Sequence, residues 1–393
     1  ACQLGPAGNP ANPPPDIIIA SDLSTSAFGL EARPAEEAIA YAIRQQGSID
    51  GFTLGYLPLD DSLAATPNPI RGAQNVERMI RTGAVLGMVG PYNSSVAYDE
   101  IPIANGAPLA MVSPSASSRC LTEASWSCGK RTTSLRPTGR NNFFRIEAAD
   151  PLEGRGMGRY VVDVLKLSRI AVLNEWDYLG DLTVQEFQRE LAVGNARVVL
   201  NQRLDSTTTS FAPFLEAADA AGAQAVYAIG DSTDAPFCMI ARQMKEITPG
   251  MVLLGTDGIA TDPQCVSDAG ASNAEGVLGT FIDVDPRQST DPGVRSIVDA
   301  YVRTHPDVSF FTFAAYDCAR ILIAAIDRAI KAAGGNIPTR QQVIEAVAQT
   351  NYHGLTGDYT FDANGDATSP LMSMWQVRNG VWTYVEKLDV SAS

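Results

Sequence analysis

The sequence holds two histidines in 393 residues, His305 and His353, and they stand far apart. A histidine-rich metal site is therefore excluded. His305 precedes a proline, His353 is isolated, and neither has a nucleophile motif beside it. No Gly-x-Ser-x-Gly elbow, phosphate-binding loop or zinc-type cysteine spacing occurs. The chain therefore reads as a binding protein that catalyses nothing and needs no cofactor. Basic residues are scarce as well: 29 Lys and Arg stand against 44 Asp and Glu, a formal net charge of −15. Such a surface repels phosphate backbones and anionic headgroups, which argues against nucleic acid or the bilayer as direct partners. Long apolar runs are missing too. The longest, such as 17–20 and 251–255, have strand length, well short of the roughly 18–20 residues of a membrane-spanning helix. What is present is globular: 45% hydrophobic and 19% charged residues. The length exceeds one ordinary core and predicts two domains.

Cys2 is followed by a Pro/Gly/Asn/Ala stretch to Pro15 that cannot bury a core. Residues 1–15 are expected to form an extended tether. A cysteine in this place resembles the acylated first residue of a bacterial lipoprotein. It implies a periplasmic or cell-surface location, with the membrane reached only through a lipid anchor. Cys120 and Cys128 flank a short polar loop and are expected to form a disulfide in an oxidising compartment. Cys238 and Cys265 each fall early in a helix that follows a strand, so a second bridge is left open. Cys318 lies in an apolar helix and reads as a buried thiol.

Short apolar runs alternate with amphipathic segments. Strand patterns at 17–23, 53–59, 85–89 and 109–112 are interleaved with helical spacing at 34–46, 69–81 and 96–104. Residues 114–140, rich in Ser, Thr, Gly and Arg, break the rhythm. It restarts with helices at 152–166, 182–193, 211–221 and 235–245, and strands at 170–173, 198–200, 225–229, 252–254 and 277–282. Helices at 294–304, 313–333 and 340–350 follow. Strands at 359–361, 371–377 and 381–385 then read as antiparallel, with Arg378-Asn379-Gly380 as a hairpin turn. The fold class is α/β with two doubly wound parallel-sheet units. Ligands of such sheets lie beyond the carboxyl ends of the strands, so two facing units would bind in the cleft between them.

The candidates are accordingly the residues just after strands. Gly90-Pro91-Tyr92-Asn93-Ser94-Ser95 runs from a strand into a helix, and Ser94 and Ser95 there suit a carboxylate or small oxyanion. Ser113-Pro114-Ser115-Ala116-Ser117-Ser118 ends the next strand and offers Ser115 and Ser117 to the same cleft. Phe28 would form an apolar wall, and Trp176 and Tyr178 would cover the ligand. Asp231 and Asp257 follow two later strands. Asp257, in a water-poor cleft, calls for a cation, and a ligand ammonium is the obvious one.

These segments resemble the type I periplasmic binding proteins of branched-chain amino acid (Leu/Ile/Val-binding) ABC transporters. The resemblance rests on Gly90–Ser95, Ser113–Ser117, Ala274-Glu275-Gly276-Val277, Ala315-Tyr316-Asp317, Leu355-Thr356-Gly357 and Phe361-Asp362-Ala363-Asn364-Gly365, in that order, from about Asp16 to Lys387. It implies a Venus-flytrap of two α/β lobes joined by three crossovers. Residues 16–145 and 281–353 would form one lobe, and 146–280 and 354–393 the other. It further implies that Ser94 and Ser117 hold a ligand carboxylate, that the Ser115 carbonyl and Asp257 hold its ammonium, that Tyr178 comes from the second lobe, and that Phe28 lies near the ligand side chain. Near Asp231 the family often has an aromatic residue that this chain lacks, the 24–29 loop is shorter than usual, and the 120–140 insertion has no clear counterpart. The expected role is that of a monomeric solute receptor serving an ABC permease. The alternatives are a sensor ectodomain of the same fold, or an aromatic or aliphatic acid or amide as ligand.

Overall fold

The structure is a computed structural model and describes residues 13–123, 128, 131–174, 178–204, 208–230, 237–260 and 263–390. Cys2 and Asp231 lie outside these, as do the side chains of Tyr178 and Cys238. The chain begins with β1 (Ile17–Leu23), α1 (Gly29–Gln46), β2 (Ser48–Ile49), β3 (Phe52–Asp60), the small hairpin β4 (Ser62–Leu63) and β5 (Thr66–Pro67), and α2 (Pro69–Arg81). It continues with β6 (Val85–Val89), α3 (Ser94–Gly106), β7 (Ala110–Ser113), a short α4 (Arg131–Ser134) and β8 (Phe143–Arg145). These strands form one sheet in the order β2-β3-β1-β6-β7-β8, parallel except for β2. The two-residue period of β1 explains the layers on either side. Ile17, Ile19 and Leu23 face a core shared with α1, while Ala20 and Ile18 face another built from α2 and α3.

The chain then passes to a second sheet through α5 (Pro151–Tyr160), β9 (Arg169–Asn174), α6 (Tyr178–Val193), β10 (Arg197–Arg203), α7 (Ala212–Ala220) and β11 (Ala225–Ile229). There follow α8 (Phe237–Ile247), β12 (Val252–Gly255), α9 (Pro263–Ala269), α10 (Ala271–Ala274) and β13 (Leu278–Phe281). It returns to the first lobe as α11 (Pro292–Val302), α12 (Thr312–Ala332) and α13 (Arg340–Ala348), whose buried faces complete the core around α1. A two-stranded ladder, β14 (Tyr352–His353) with β15 (Asp358–Tyr359), precedes the last passage into β16 (Met372–Arg378) and β17 (Val381–Leu388). The second sheet runs β10-β9-β11-β12-β13-β16-β17, parallel up to β13 and antiparallel beyond. Its helices also cover both faces. Ala171 and Leu173 of β9 pack with α7 and α8, and Ile170 and Val172 with α5 and α6. The fold is thus two doubly wound lobes joined by three passages of the chain.

Several element limits differ from the sequence reading. Helix α1 starts at Gly29, five residues ahead of Pro34, where the helical spacing begins in the sequence, and the proline sits inside it. The expected helix over 152–166 is α-helical only to Tyr160, then takes a π-helical turn, Val161–Leu165, closed by Lys166 at φ 56°. Residues 359–361 do not extend the large sheet, because the local strand pairs with β14 instead. The three-residue β8 went unread because it lies just past the Ser/Thr/Gly-rich break. The hairpin turn is as expected: Asn379 and Gly380, at φ 53° and 75°, join Arg378 to its partner Val381.

The insertion is pinned from inside. Cys120 is disulfide-bonded to Cys128, with Cα atoms 5.3 Å apart. Cys265 is disulfide-bonded as well, and Cys318 is a buried free thiol. Next to the first bridge, Arg145 has no exposed surface. Its guanidinium donates to Asp366 Oδ1 at 2.6 Å, Ala116 O at 3.1 Å, Ser118 O at 2.9 Å and Thr122 Oγ1 at 2.8 Å. Arg145→Met should therefore lower stability by about 3–5 kcal/mol, the range for stripping a buried ion pair of one partner. The measurement is a urea unfolding curve, and a midpoint equal to that of the parent would contradict it.

Candidate ligand site

In the first lobe, β6 ends against Gly90, whose φ of 125° suits only glycine. A Cβ there would meet the Asp22 carbonyl at 2.5 Å. The chain then turns through Pro91 and Tyr92 to Asn93, the N-cap residue of α3. Asparagine normally caps with its side chain. Here that side chain makes no cap bond, because its Oδ1 lies 2.7 Å from Ser24 Oγ, which is also 2.5 Å from Asp61 Oδ1. The amides of Ser94 and Ser95 at the start of the helix are thus left without a side-chain cap, the arrangement that attracts an anion.

The two cleft loops of this lobe are laced together. Ser94 Oγ accepts a hydrogen bond from Ser118 N at 3.1 Å, so its hydroxyl proton remains to be donated. Ser113 Oγ donates to Pro91 O at 2.9 Å and accepts from Ala116 N at 2.9 Å. Ser115 Oγ donates to Tyr92 O at 2.8 Å. The hydroxyl of Ser115 therefore ties loop to loop. Its carbonyl accepts no hydrogen bond among the described residues. Ser117 faces the first passage: its carbonyl accepts from Asp150 N at 3.1 Å. Ser95 is exposed at the rim.

In the second lobe, Thr256 Oγ1 donates to Gly230 O at 3.1 Å and links the ends of β11 and β12. Asp257 follows, half-buried. Its amide donates to Glu153 Oε2 at 2.8 Å, and Thr280 Oγ1 donates to the same oxygen at 2.6 Å. Glu153 has no exposed surface, and burial, then the charge of Asp257, pushes its carboxyl well above the usual range.

A row of aromatic rings runs from the first lobe to the second. Phe28, the residue before α1, lies 6.2 Å from Tyr92 by ring centroids, and Tyr92 lies 5.5 Å from Phe311. Phe281 touches both Phe311 and Phe310, at 5.3 and 4.8 Å, and Phe310 reaches Trp375 at 5.1 Å. Tyr92 also reports that the two halves of the site face each other. Its hydroxyl is held well above its ordinary range by burial first, then by Glu31, and also by Asp257 from the opposite lobe. Among the described residues no group of three or more His, Cys, Asp or Glu could hold a metal ion, and no helix is long and apolar enough to cross a membrane.

The structure thus brings Phe28, Ser94, Ser95, Ser115, Ser117 and Asp257 to the cleft-facing ends of the two sheets. Asp231 and the Tyr178 side chain lie outside the described residues. Sequence reasoning missed Ser24, Asp61, Asp150 and Glu153. The Glu153 carboxyl sits in a Gly-rich helix, where nothing distinguishes it from a surface acid.

A family model described as periplasmic binding protein matches residues 21–381. The chain belongs to the periplasmic binding proteins. Leu/Ile/Val-binding protein homolog 2 of Brucella abortus is 25% identical to it over 359 residues, 91% of this chain and 88% of that protein. Among solved structures, the leucine-binding protein LivK of Thermotoga maritima shares the fold with a TM-score of 0.76 at 22% identity, covering 95% of this chain and 99% of that one. A solute-binding protein of R. palustris, in complex with benzoate, does so with a TM-score of 0.69 at 17% identity, covering 94% and 96%. In this periplasmic binding protein, then, the paired loops described above occupy the cleft between two lobes.

The Ser24–Asp61–Asn93 cluster has a pH signature. Asp61 has no exposed surface, and its carboxyl is pushed up from 3.8 to about 6, by burial first, against the hydrogen bond from Ser24 and with help from Asp60. A raised acid binds its proton more tightly folded than unfolded. Its stabilising contribution is complete below 3.8 and is lost as pH rises through 6. The stability of the parent relative to Asp61→Asn should therefore fall by about 2–3 kcal/mol between pH 4 and pH 7. Urea midpoints of the two proteins across that range check it, and a pH-independent difference would refute it.

Proposed function

We propose that this periplasmic binding protein is an extracytoplasmic receptor that captures a small amino acid between its lobes and delivers it to an ABC permease. One observation carries the reading: an uncapped helix N-terminus in one lobe and a carboxylate in the other face the same cleft. Together they offer an anion site and a cation site, the two ends of a zwitterion. Ser94 and the amides of Ser94 and Ser95 hold the carboxylate, with Ser117 beside them. Asp257 and the Ser115 carbonyl hold the ammonium. Phe28 and Tyr92 bound the side-chain pocket. The names of the relatives, Leu/Ile/Val-binding and leucine-binding, support the same class of ligand. A lipid anchor at Cys2 belongs to the same reading. Capture by closure requires no bond to be made or broken, so no residue is assigned a catalytic part.

A second reading, an aromatic acid, draws on the row Phe28–Tyr92–Phe311 beside the anion site and on the benzoate held by a structural neighbour. Calorimetry with L-leucine, other amino acids and benzoate separates the two. For an amino acid, Asp257→Asn should cost about 2–5 kcal/mol of binding free energy, the range for breaking a desolvated charge pair. Ser94→Ala should cost about 1–3 kcal/mol, because the neighbouring amides remain. Unchanged affinity in Asp257→Asn would remove the ammonium assignment and favour the organic acid.

A further inference from the structure

Glu153 lies in the first turn of α5, beneath Asp257, and its side chain has no exposed surface. Oε2 accepts both available donors, Asp257 N at 2.8 Å and Thr280 Oγ1 at 2.6 Å. Oε1 is buried and makes no hydrogen bond. An ionised carboxyl with one oxygen dry and unpaired is costly, so such a group keeps a proton or finds a cation. Among the described residues, the neighbours that act most strongly on it bring no cation. The N-cap of α5 brings Asp150, the loop after β12 brings Asp257, β11 brings Tyr227 and β13 brings Thr280. Helix α6 approaches with backbone, the Thr183 carbonyl lying 2.0 Å from where a Cβ on Gly154 would be. Tyr92 faces Asp257 from the other lobe. Of the groups that act most strongly on Glu153, none is Arg or Lys. Since Oε2 is taken by two donors, a proton on this group sits on Oε1.

We propose that Glu153 is a positioning residue that couples ligand capture to proton release: it holds the Asp257 backbone, carries a proton on Oε1 while the cleft is empty, and loses it to solvent when the ammonium of an amino acid docks against Asp257. The inference rests on the assignment of Asp257 to the ammonium. Its chemistry is a single proton transfer. The O–H bond of Glu153 breaks, the proton passes to buffer, and the ligand ammonium, which keeps its own protons, supplies the positive charge that makes the ionised form tolerable. Affinity then rises with pH wherever the empty protein still holds the proton.

Two measurements decide it. The first needs no ligand: urea unfolding of the empty protein and of Glu153→Gln from pH 5 to pH 8. Glutamine keeps an acceptor for Thr280 and Asp257 N, and presents an N–H in place of the acid proton. With rising pH the parent should lose stability relative to the variant, since a raised acid is destabilised as it is forced to ionise; a constant difference overturns the proposal. The second is calorimetry with L-leucine in buffers of different ionisation enthalpy. The parent should release up to one proton per leucine and tighten by up to about tenfold per pH unit, whereas Glu153→Gln should bind, release none and change by less than about twofold. Proton release by both proteins, or by neither, overturns the coupling. If L-leucine gives no heat with the parent, the amino-acid assignment falls, and with it the coupling; the first measurement still reads whether Glu153 carries the proton.

Discussion

Arg145 stands at the end of β8, where the chain leaves the first lobe, and its guanidinium gathers three parts of the sequence that lie far apart. Two of its bonds go to carbonyls of the 113–118 loop, one to Thr122 beside the Cys120–Cys128 bridge, and one to Asp366 in the last passage between lobes. Burial alone would lower its affinity for the proton; the carboxylates of Asp366 and Glu147 more than offset this, so the group stays charged. A buried cation tolerates little misplacement of its acceptors, because each lost bond leaves charge unsolvated. The carbonyl directions of Ala116 and Ser118, and through them the placement of Ser115 and Ser117, are thereby fixed from behind. The insertion's disulfide-bonded end supports the cleft loops in this way.

The third passage is organised by a second buried charge. Asp317 on α12 accepts from Leu355 N at 2.9 Å, from Thr356 N and Thr356 Oγ1 at 2.8 Å each, and from the Tyr352 hydroxyl at 3.2 Å. Gly354 is needed beside it, since a Cβ there would come within 2.5 Å of Asp317 Oδ2. Further on, Asp362 Oδ1 takes the amides of Asn364 and Asp366, and Gly365, at φ 96°, packs where a side chain would strike the Phe143 carbonyl. That turn delivers Asp366 to Arg145. The Ala315-Tyr316-Asp317, Leu355-Thr356-Gly357 and Phe361–Gly365 segments are therefore not three separate signatures. They are parts of the hydrogen-bond system that sets how the second lobe's last strands leave the first lobe.

This explains what the sequence could and could not reveal. The βαβ rhythm was legible because β1, β6, β9 and β11 are nearly continuous apolar runs and the helices between them keep a helical period. The post-strand loops were legible because a ligand between facing parallel sheets has few other places to bind. The direction of each hydroxyl was not. Ser115 and Ser117 look equivalent in sequence, yet the hydroxyl of one bonds back to Tyr92 while the carbonyl of the other accepts from Asp150 N. Asn93 looks like an ordinary cap, and only its contact with Ser24 shows that the helix end is left open. Glu153 carried no local signal, because its partners, Asp257 and Thr280, are 104 and 127 residues away.

The two walls of the cleft differ in what an unmet ligand would cost them. The first lobe presents amides and hydroxyls, neutral dipoles that water solvates well in the open state and that lose about 1–3 kcal/mol each if buried unpaired. The second presents Asp257 above Glu153, two carboxyls stacked in a wall with no Arg or Lys among the groups that act most strongly on the inner one. Shutting water away from that pair without a cation would be the more severe penalty, since burying a charge costs several kcal/mol even after relaxation. On the proposed function, closure would therefore be gated mainly from the second lobe. A ligand that satisfies only the helix N-terminus leaves the larger cost standing, whereas one that brings a positive charge to Asp257 removes it. On the proposed function, a preference for solutes that carry an amine would follow from the asymmetry of the two walls, before any contact with a side-chain pocket is counted.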